Sequence, residues 1–241
     1  MQDRIRHRGL NEAKSKKKEQ EYYRLLETYA RFLAPFYNLF FLAISLGGEW
    51  KLREKVTAEI SPQIGDRILD LATGTGKQAI SLARKKTDVV AVDLSRYMIN
   101  LIKNKNKFGN LAFVISDATK LPFTDHSFDI SCVSFALHDM ILPVREKAVV
   151  ELVRVTREKG TITIVDYSSH RTRFVRFFSS IARLYEPYYS EFARYDLENL
   201  VSNSGVRIQK EIEIFRGVGR ILIGEKLSQK AKDENLNSLL L

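Results

Sequence analysis

Short apolar runs alternate with amphipathic helical patterns along the middle of the chain. Helical spacing of apolar positions predicts helices near 77–85, 95–105 and 144–157. Strands that alternate with helices in this way indicate a parallel sheet with helices on both faces. The apolar runs themselves predict strands near 67–71, 88–93, 112–116, 128–135 and 161–167.

Two further strands are predicted near the C-terminus, at about 207–214 and 219–226, with a turn at Gly217-Val218-Gly219. Two strands this close in sequence pair in an antiparallel hairpin. The fold class expected is therefore α/β, with a doubly wound, mostly parallel, seven-stranded sheet of the Rossmann-like kind. A C-terminal antiparallel hairpin and a helical N-terminal cap complete it.

The pattern also predicts how the chain is divided. Residues 1–60 are expected to form a helical N-terminal cap or lid, because apolar positions recur there at helical spacing. Residues 61–227 are expected to form the nucleotide-binding domain, with residues 170–204 inserted as a helical substrate cap. Residues 228–241 lack periodicity and are expected to fray.

The most informative segment is the small-residue turn after the first predicted strand. Residues 68–76 read Ile-Leu-Asp-Leu-Ala-Thr-Gly-Thr-Gly, and the second strand ends in Asp93. Glycine is needed where the backbone takes a positive φ or lies close to a ligand. A carboxylate at the end of the second strand can accept hydrogen bonds from ribose hydroxyls, so the pair predicts a nucleoside-binding site.

Two cofactor classes fit such a turn. Gly74-Thr-Gly76-Lys-Gln-Ala79 agrees with the dinucleotide pattern G-x-G-x-x-G/A, with Asp93 about 20 residues further on. Asp70 argues against a dinucleotide, because in a dinucleotide-binding site the apolar strand usually leads straight into the first glycine. An acid at this point suits a cofactor with a cationic end, such as S-adenosylmethionine (SAM). The G-x-x-x-x-G-K-[ST] phosphate loop does not occur.

An ordered set of segments between about residues 65 and 167 resembles the class I SAM-dependent methyltransferases. Within them the chain is similar to the branch of ubiquinone/menaquinone biosynthesis C-methyltransferases. The segments that carry the resemblance are Asp70–Gly76, Asp93-Leu94-Ser95 with Met98, Ser116-Asp117-Ala118, Leu121-Pro122-Phe123, Ser127-Phe128-Asp129, Arg154-Val155 and Gly160.

The resemblance implies SAM as the cofactor, with a set of binding residues. It implies that Asp93 binds the ribose and Asp117 the adenine amino group, and that Asp70 lies near the methionine end. Leu94 and Met98 are expected to pack near the adenine, and no metal ligand is assigned. The cofactor-binding residues expected are Asp70, Ala72, Thr73, Gly74, Gly76, Asp93, Leu94, Met98, Asp117 and Ala118.

Two pairs of residues are candidates for catalysis, because they follow the fourth and fifth strands. In an open parallel sheet, such positions face the ligand crevice. His138-Asp139 offers a general base or a substrate-orienting group, since histidine titrates near neutral pH. A structural histidine tied to a loop carbonyl is the alternative. Asp166-Tyr167 is the second pair, with a helix cap and a packed aromatic ring as its alternative.

Composition bears on the partners. The formal net charge of +10 favours an anionic partner such as a membrane surface or RNA. Basic residues in the first 20 positions also fit peripheral contact with an anionic membrane. Arginines interleaved with aromatics over 170–195 fit such contact, a substrate lid or base stacking on RNA. The single cysteine, Cys132, excludes an internal disulfide. This, and the absence of a secretory segment, favours the cytoplasm.

The function predicted is therefore a SAM-dependent methyltransferase with a small-molecule or lipid-like acceptor, of the quinone-precursor or phospholipid-amine type. An RNA methyltransferase is the alternative enzyme, motivated by charge. Against it, Ala136-Leu-His-Asp139 stands where an Asn/Asp-Pro-Pro-Tyr/Phe signature would follow the fourth strand. A non-catalytic SAM-binding subunit is the third hypothesis.

Overall fold

One seven-stranded sheet organises the part of the chain that the computed structural model describes, residues 19–24, 48–104, 107–168 and 188–228. Its order is β3-β2-β1-β4-β5-β7-β6, with β1 to β5 parallel and β7 antiparallel to both of its neighbours. The strands are β1 (Arg67–Leu71), β2 (Asp88–Asp93), β3 (Leu111–Ile115), β4 (Phe128–Ser134), β5 (Thr156–Tyr167), β6 (Val206–Ile214) and β7 (Gly219–Lys226).

Helices lie on both sides of this sheet. Residues 19–24 are helical as well. No helix within the described ranges is long and apolar enough to cross a bilayer. The helices with defined ends are α1 (Glu49–Ile60), α2 (Lys77–Ala83), α3 (Arg96–Lys103), α4 (Leu142–Val155), α5 (Tyr189–Phe192) and α6 (Leu197–Asn203).

Each central strand contributes to two cores because successive side chains point to opposite faces. Ile68 of β1 packs with residues of α1 and α2, whereas its neighbour Leu69 packs with residues of α4 and α6. Buried strands in such a sheet read as continuous apolar runs, as Val89 to Val92 of β2 do here. The two cores cover both faces, so a ligand site is expected at the carboxyl edge of the parallel strands.

The predicted fold class is confirmed, including the C-terminal antiparallel hairpin. Two boundaries were wrong: the helix predicted to reach residue 157 ends at Val155, and the strand predicted to begin at residue 161 begins directly at Thr156. The Thr156 hydroxyl donates to the carbonyl of Leu152 at 2.6 Å and lies 2.7 Å from the Ser131 hydroxyl of β4. Local hydrogen bonding of this kind competes with helix continuation.

The predicted division of the chain stays a prediction. Residues 49–60 of the expected N-terminal cap and 197–203 of the expected substrate cap are helical. Large parts of both caps, at 1–18, 25–47 and 169–187, lie outside the described residues. Residues 229–241 of the tail lie outside them as well. The basic N-terminal segment and most of the arginines proposed for membrane contact fall in these ranges.

Candidate functional site

The turn between β1 and α2 forms the floor of the site. Gly74 and Gly76 take positive φ values of 54° and 75°, which glycine adopts without strain. The amide of Thr73 donates to the carbonyl of Val92 at 2.9 Å, which ties the turn to the end of β2. A β-carbon placed on Gly74 would meet nothing within 4 Å. The turn therefore presents bare backbone to open space, as close approach of a ligand requires.

Asp93 stands beside this turn at the end of β2. Its Oδ2 accepts from the amide of Gly74 and its Oδ1 from the amide of Ser95, both at 2.8 Å. A carboxylate has about four lone-pair sites, so both oxygens keep capacity for ribose hydroxyls. Burial raises the pKa of Asp93, and the two amide donors oppose the rise. The carboxylate and the open glycine turn thus fit a nucleoside such as that of SAM.

Asp70 lies beneath the turn and is 1% exposed. Its Oδ2 accepts from the Thr73 hydroxyl at 2.5 Å, and its Oδ1 accepts from the Cys132 thiol at 3.3 Å. Burial raises the pKa of Asp70, while these donors and the charge of Arg53 lower it. In this arrangement Asp70 stabilises the glycine turn through its hydrogen bond with Thr73. Its contact with the cationic end of the cofactor stays a prediction.

The residues expected around the adenine line the same edge of the sheet. Asp117, after β3, accepts from both the amide and the hydroxyl of Thr119 at 2.8 Å through Oδ1. Leu94, Met98 and Ala118 are partly buried. Ser95 caps α3 by accepting from the Met98 amide, so Asp93 is not needed as the cap of this helix.

The two predicted catalytic pairs come together in one buried cluster. His138 Nδ1 lies 2.7 Å from Asp166 Oδ1, and both side chains are 1% exposed. Because a carboxylate only accepts, Nδ1 carries the proton and Nε2 is the basic nitrogen of the neutral ring. Asp166 is itself fixed by the amides of Leu137 and Tyr167, at 3.0 and 2.8 Å.

Asp139 and Tyr167 complete this cluster. Asp139 Oδ2 lies 3.4 Å from His138 Nε2, and 46% of the Asp139 side chain is exposed. The ring of Tyr167 packs edge-on against His138 with centroids 4.7 Å apart. The histidine is thus held between two carboxylates, of which only Asp139 reaches solvent.

Aromatic side chains from distant parts of the chain cover the cluster. The ring of Phe192 lies 6.1 Å from that of His138, and the ring of Tyr22 lies 5.7 Å from that of Tyr188. Burial and the charge of Asp139 raise the pKa of Tyr22. Burial, with Asp117 adding to it, raises the pKa of Tyr23 to about 12. Residues 19–24 therefore reach from the adenine side of the site to the proposed catalytic side.

Sequence reasoning missed several charged residues of the site. Lys77, at the start of α2, pairs with Glu49 of α1. Arg53, one turn further along α1, is buried over the Phe135 ring at 5.6 Å. Arg145 of α4 is fully buried. The i,i+4 spacing of Glu49 and Arg53 was a visible signal for an ion pair, but a lone arginine in an amphipathic helix gives none.

Substitution of Gly76 by alanine is expected to destabilise the fold by about 2 kcal/mol or more. The new β-carbon would lie 2.7 Å from the side chain of Ile102 of α3, in a backbone with a φ of 75°. Chemical denaturation measures the change. Gly109→Ala is the matched control, because its β-carbon meets nothing within 4 Å. Equal stability of the two variants would contradict the close packing of the turn on α3.

Comparisons with known proteins place this site in a family context. Residues 69–164 match the family model described as a methyltransferase domain. A demethylmenaquinone methyltransferase of Paenarthrobacter aurescens (strain TC1) is 36% identical over 136 residues, which are 56% of this chain and 52% of that protein. The ubiquinone/menaquinone biosynthesis C-methyltransferase UbiE of Citrifermentans bemidjiense is 30% identical over 144 residues, 57% of this chain and 60% of that protein.

A solved structure supports the same fold. The crystal structure of a SAM-dependent methyltransferase from Aquifex aeolicus superposes with a TM-score of 0.59 and 22% identity, over 73% of this chain and 89% of that one. The chain spans about half the length of the first curated relatives it matches. Residues 69–164 are therefore similar to a methyltransferase domain, and the seven-stranded sheet shares its fold with a SAM-dependent methyltransferase of known structure.

Proposed function

We propose that this chain transfers a methyl group from SAM to a ring carbon of an aromatic, lipid-like acceptor of the quinone-precursor class. The observation that carries the proposal is the hydrogen bond that the amide of Gly74 donates to Asp93 at 2.8 Å, beside an open glycine turn. The names of the curated relatives, demethylmenaquinone methyltransferase and UbiE, support the choice of acceptor.

In the proposed mechanism, some residues bind the cofactor and others accept the proton. Bound SAM would supply an activated methyl group. Asp93 would hold the ribose, Asp117 the adenine amino group, and the turn around Gly74 the remainder of the cofactor. The chain itself must then align the acceptor, exclude water and remove a proton.

His138 is the proposed general base. Methylation at a ring carbon forms a carbon–carbon bond and releases one proton, so a base is needed. Asp166 holds Nδ1–H at 2.7 Å and thereby leaves Nε2 as the proton acceptor. Asp139 lies 3.4 Å from Nε2 and is 46% exposed, so it can stabilise the protonated ring and pass the proton on to solvent.

An aromatic acceptor suits the walls of the site. Tyr167 and Phe192 flank His138, and Tyr22 and Tyr188 pack edge-on nearby. Offset and edge-on ring contacts favour a planar ring by roughly 0.5–1.5 kcal/mol each beyond burial. A lipid-like tail would also place the enzyme at a membrane surface for part of its cycle, which is the form in which we propose the peripheral membrane contact.

The acceptor is tested by radiolabel transfer from SAM with three acceptors in parallel. These are a reduced, short-chain demethylmenaquinol, phosphoethanolamine and bulk transfer RNA. We expect label in the quinol alone, with one S-adenosylhomocysteine formed for each methyl group transferred. Label in the RNA or the amine, with none in the quinol, would overturn the acceptor assignment while leaving the methyltransferase assignment intact.

A further inference from the structure

Arg145 of α4 is the largest fully buried side chain in the described part of the chain, with 0% exposure. Burying a guanidinium is costly unless its donors and charge are compensated. Burial lowers the pKa of Arg145, and the charge of Asp166 opposes the effect. The side-chain hydrogen bonds that the structure gives Arg145 run to backbone carbonyls rather than to a carboxylate. An ordinary surface ion pair therefore does not explain why Arg145 is buried.

The two hydrogen bonds of Arg145 bracket the turn that bears His138. Its Nε donates to the carbonyl of Leu137 at 2.9 Å, and its Nη2 donates to the carbonyl of Met140 at 2.7 Å. The amides of Leu137 and His138 donate in the other direction, to Asp166. The turn is thus held by a guanidinium at its carbonyls and by a carboxylate at its amides.

The guanidinium of Arg145 also supports the segment 188–195, here called the cap segment. It lies over the ring of Phe192 at 4.9 Å and over the ring of Tyr195 at 5.6 Å. The hydroxyl of Tyr195 donates to Glu146, the next residue of α4, at 3.0 Å. Arg145 and Glu146, which are adjacent in α4, therefore both contact the cap segment.

We propose that Arg145 is a positioning residue that couples docking of the cap segment to the orientation of His138. When Phe192 and Tyr195 lie on the guanidinium, its donors stay directed at Leu137 and Met140, and the ring of His138 stays on Asp166. An undocked cap segment would expose Arg145 to water and loosen the turn. The basic nitrogen would then be set for chemistry only in the closed site.

The chemistry of the side chain favours this role over simple filling of space. An apolar side chain of similar volume would fill the core with less desolvation cost. Only the planar guanidinium can donate to two carbonyls and lie against two aromatic rings at once, which lysine cannot reproduce. The inference rests on the proposed function only in naming His138 as the base. The coupling itself can be measured without an acceptor.

The test is the hydrogen-exchange rate of the His138 Nδ1 proton, followed by NMR in the full chain labelled at histidine nitrogens. The chain has four histidines, so a His138→Asn variant identifies the signal. We expect Arg145→Met and Arg145→Lys to accelerate exchange at least tenfold, a change of about 1.4 kcal/mol in local opening. Phe192→Leu, on the cap side, is expected to act in the same direction.

Two controls separate local coupling from loss of stability. Arg157→Lys changes an arginine that is 57% exposed and pairs with Asp129, and it should leave the exchange rate unaltered. Amide exchange of Val133, in the core of β4, reports global unfolding in every variant. Faster His138 exchange with an unaltered Val133 rate supports the coupling. An unaltered His138 rate in both Arg145 variants, or acceleration equal to that of Val133, would overturn it.

The same variants separate this inference from the proposed function. In the methyl-transfer assay, Arg145→Lys should lower kcat and leave the Kd for SAM unaltered. Combining it with Phe192→Leu should lower kcat by less than the product of the single effects, because both changes break one connection. Independent, multiplicative effects would contradict the coupling. Failure of every acceptor would contradict the proposed function but would leave the exchange result standing.

Discussion

Replacement of His138 by alanine is expected to lower kcat by roughly 100-fold or more, because general-base catalysis contributes at least that much. The Kd for SAM should not change, since His138 contacts Asp166 and the aromatic cap rather than the glycine turn. Steady-state kinetics with the quinol acceptor and calorimetry with SAM measure the two quantities. A loss confined to kcat is the signature of a group that acts in the chemical step.

Alanine at a fully buried position can also disturb the fold, so a second variant is needed. His138→Asn keeps a side-chain N–H that can donate to Asp166 but has no basic nitrogen. Under the proposal it should be as inactive as the alanine variant while retaining more of the wild-type stability. Full turnover in His138→Asn would reduce His138 to a structural residue tied to Asp166. Asp139 would then be the next candidate, because its carboxylate is close by and 46% exposed.

Replacement of Asp93 by alanine is expected to weaken SAM binding at least tenfold, or about 1.4 kcal/mol. The substitution removes the proposed ribose acceptor and also releases the amide of Gly74 from its partner. Asp88→Asn is the matched control, because it lies at the exposed opposite end of the same strand. Calorimetry on both variants should separate them clearly. An equal Kd for the two would contradict ribose recognition by Asp93.

The pH dependence of SAM binding offers a check on the same residue. In the proposed site, ribose hydroxyls donate to the ionised carboxylate of Asp93, so affinity for SAM should fall as the pH falls through the pKa of Asp93. Burial raises that pKa, so the decline should begin at a higher pH than it would for an exposed aspartate. In Asp93→Ala this acid limb should be absent.

Much of the fold was predictable because apolar runs and glycine turns are local signals. The strand pattern of β1, β2 and β4, and the hairpin of β6 and β7, follow from residues adjacent in sequence. The start of β5 was not predictable in this way. Thr156 leaves the helix because it meets Ser131 of β4, and Gly160 would clash with the carbonyl of Asp129 if it had a β-carbon. Both contacts depend on a neighbouring strand.

The sequence supplied candidate site residues at the ends of the strands, but it did not show how they contact one another. The ends of β4 and β5 supplied His138 and Asp166 as separate candidates, and their direct bond follows from the pairing of these two strands. The sequence did not show the contact by which Asp70 stabilises the glycine turn through Thr73, and the place of Asp70 near the cofactor stays a prediction. The roles of Tyr22 and Arg145 depend on contacts between remote segments, for which spacing along a single helix carries no signal.

The central claim is that the Gly74 turn and Asp93 bind SAM, and its most direct test is calorimetry of the full chain with SAM and with NAD. The account predicts a single SAM site, weakened at least tenfold by Asp93→Ala and unaltered by Asp88→Asn. It predicts no measurable NAD binding, because Asp70 and Leu71-Ala72-Thr73 precede the first glycine of the turn. Tight binding of NAD with no binding of SAM would contradict it.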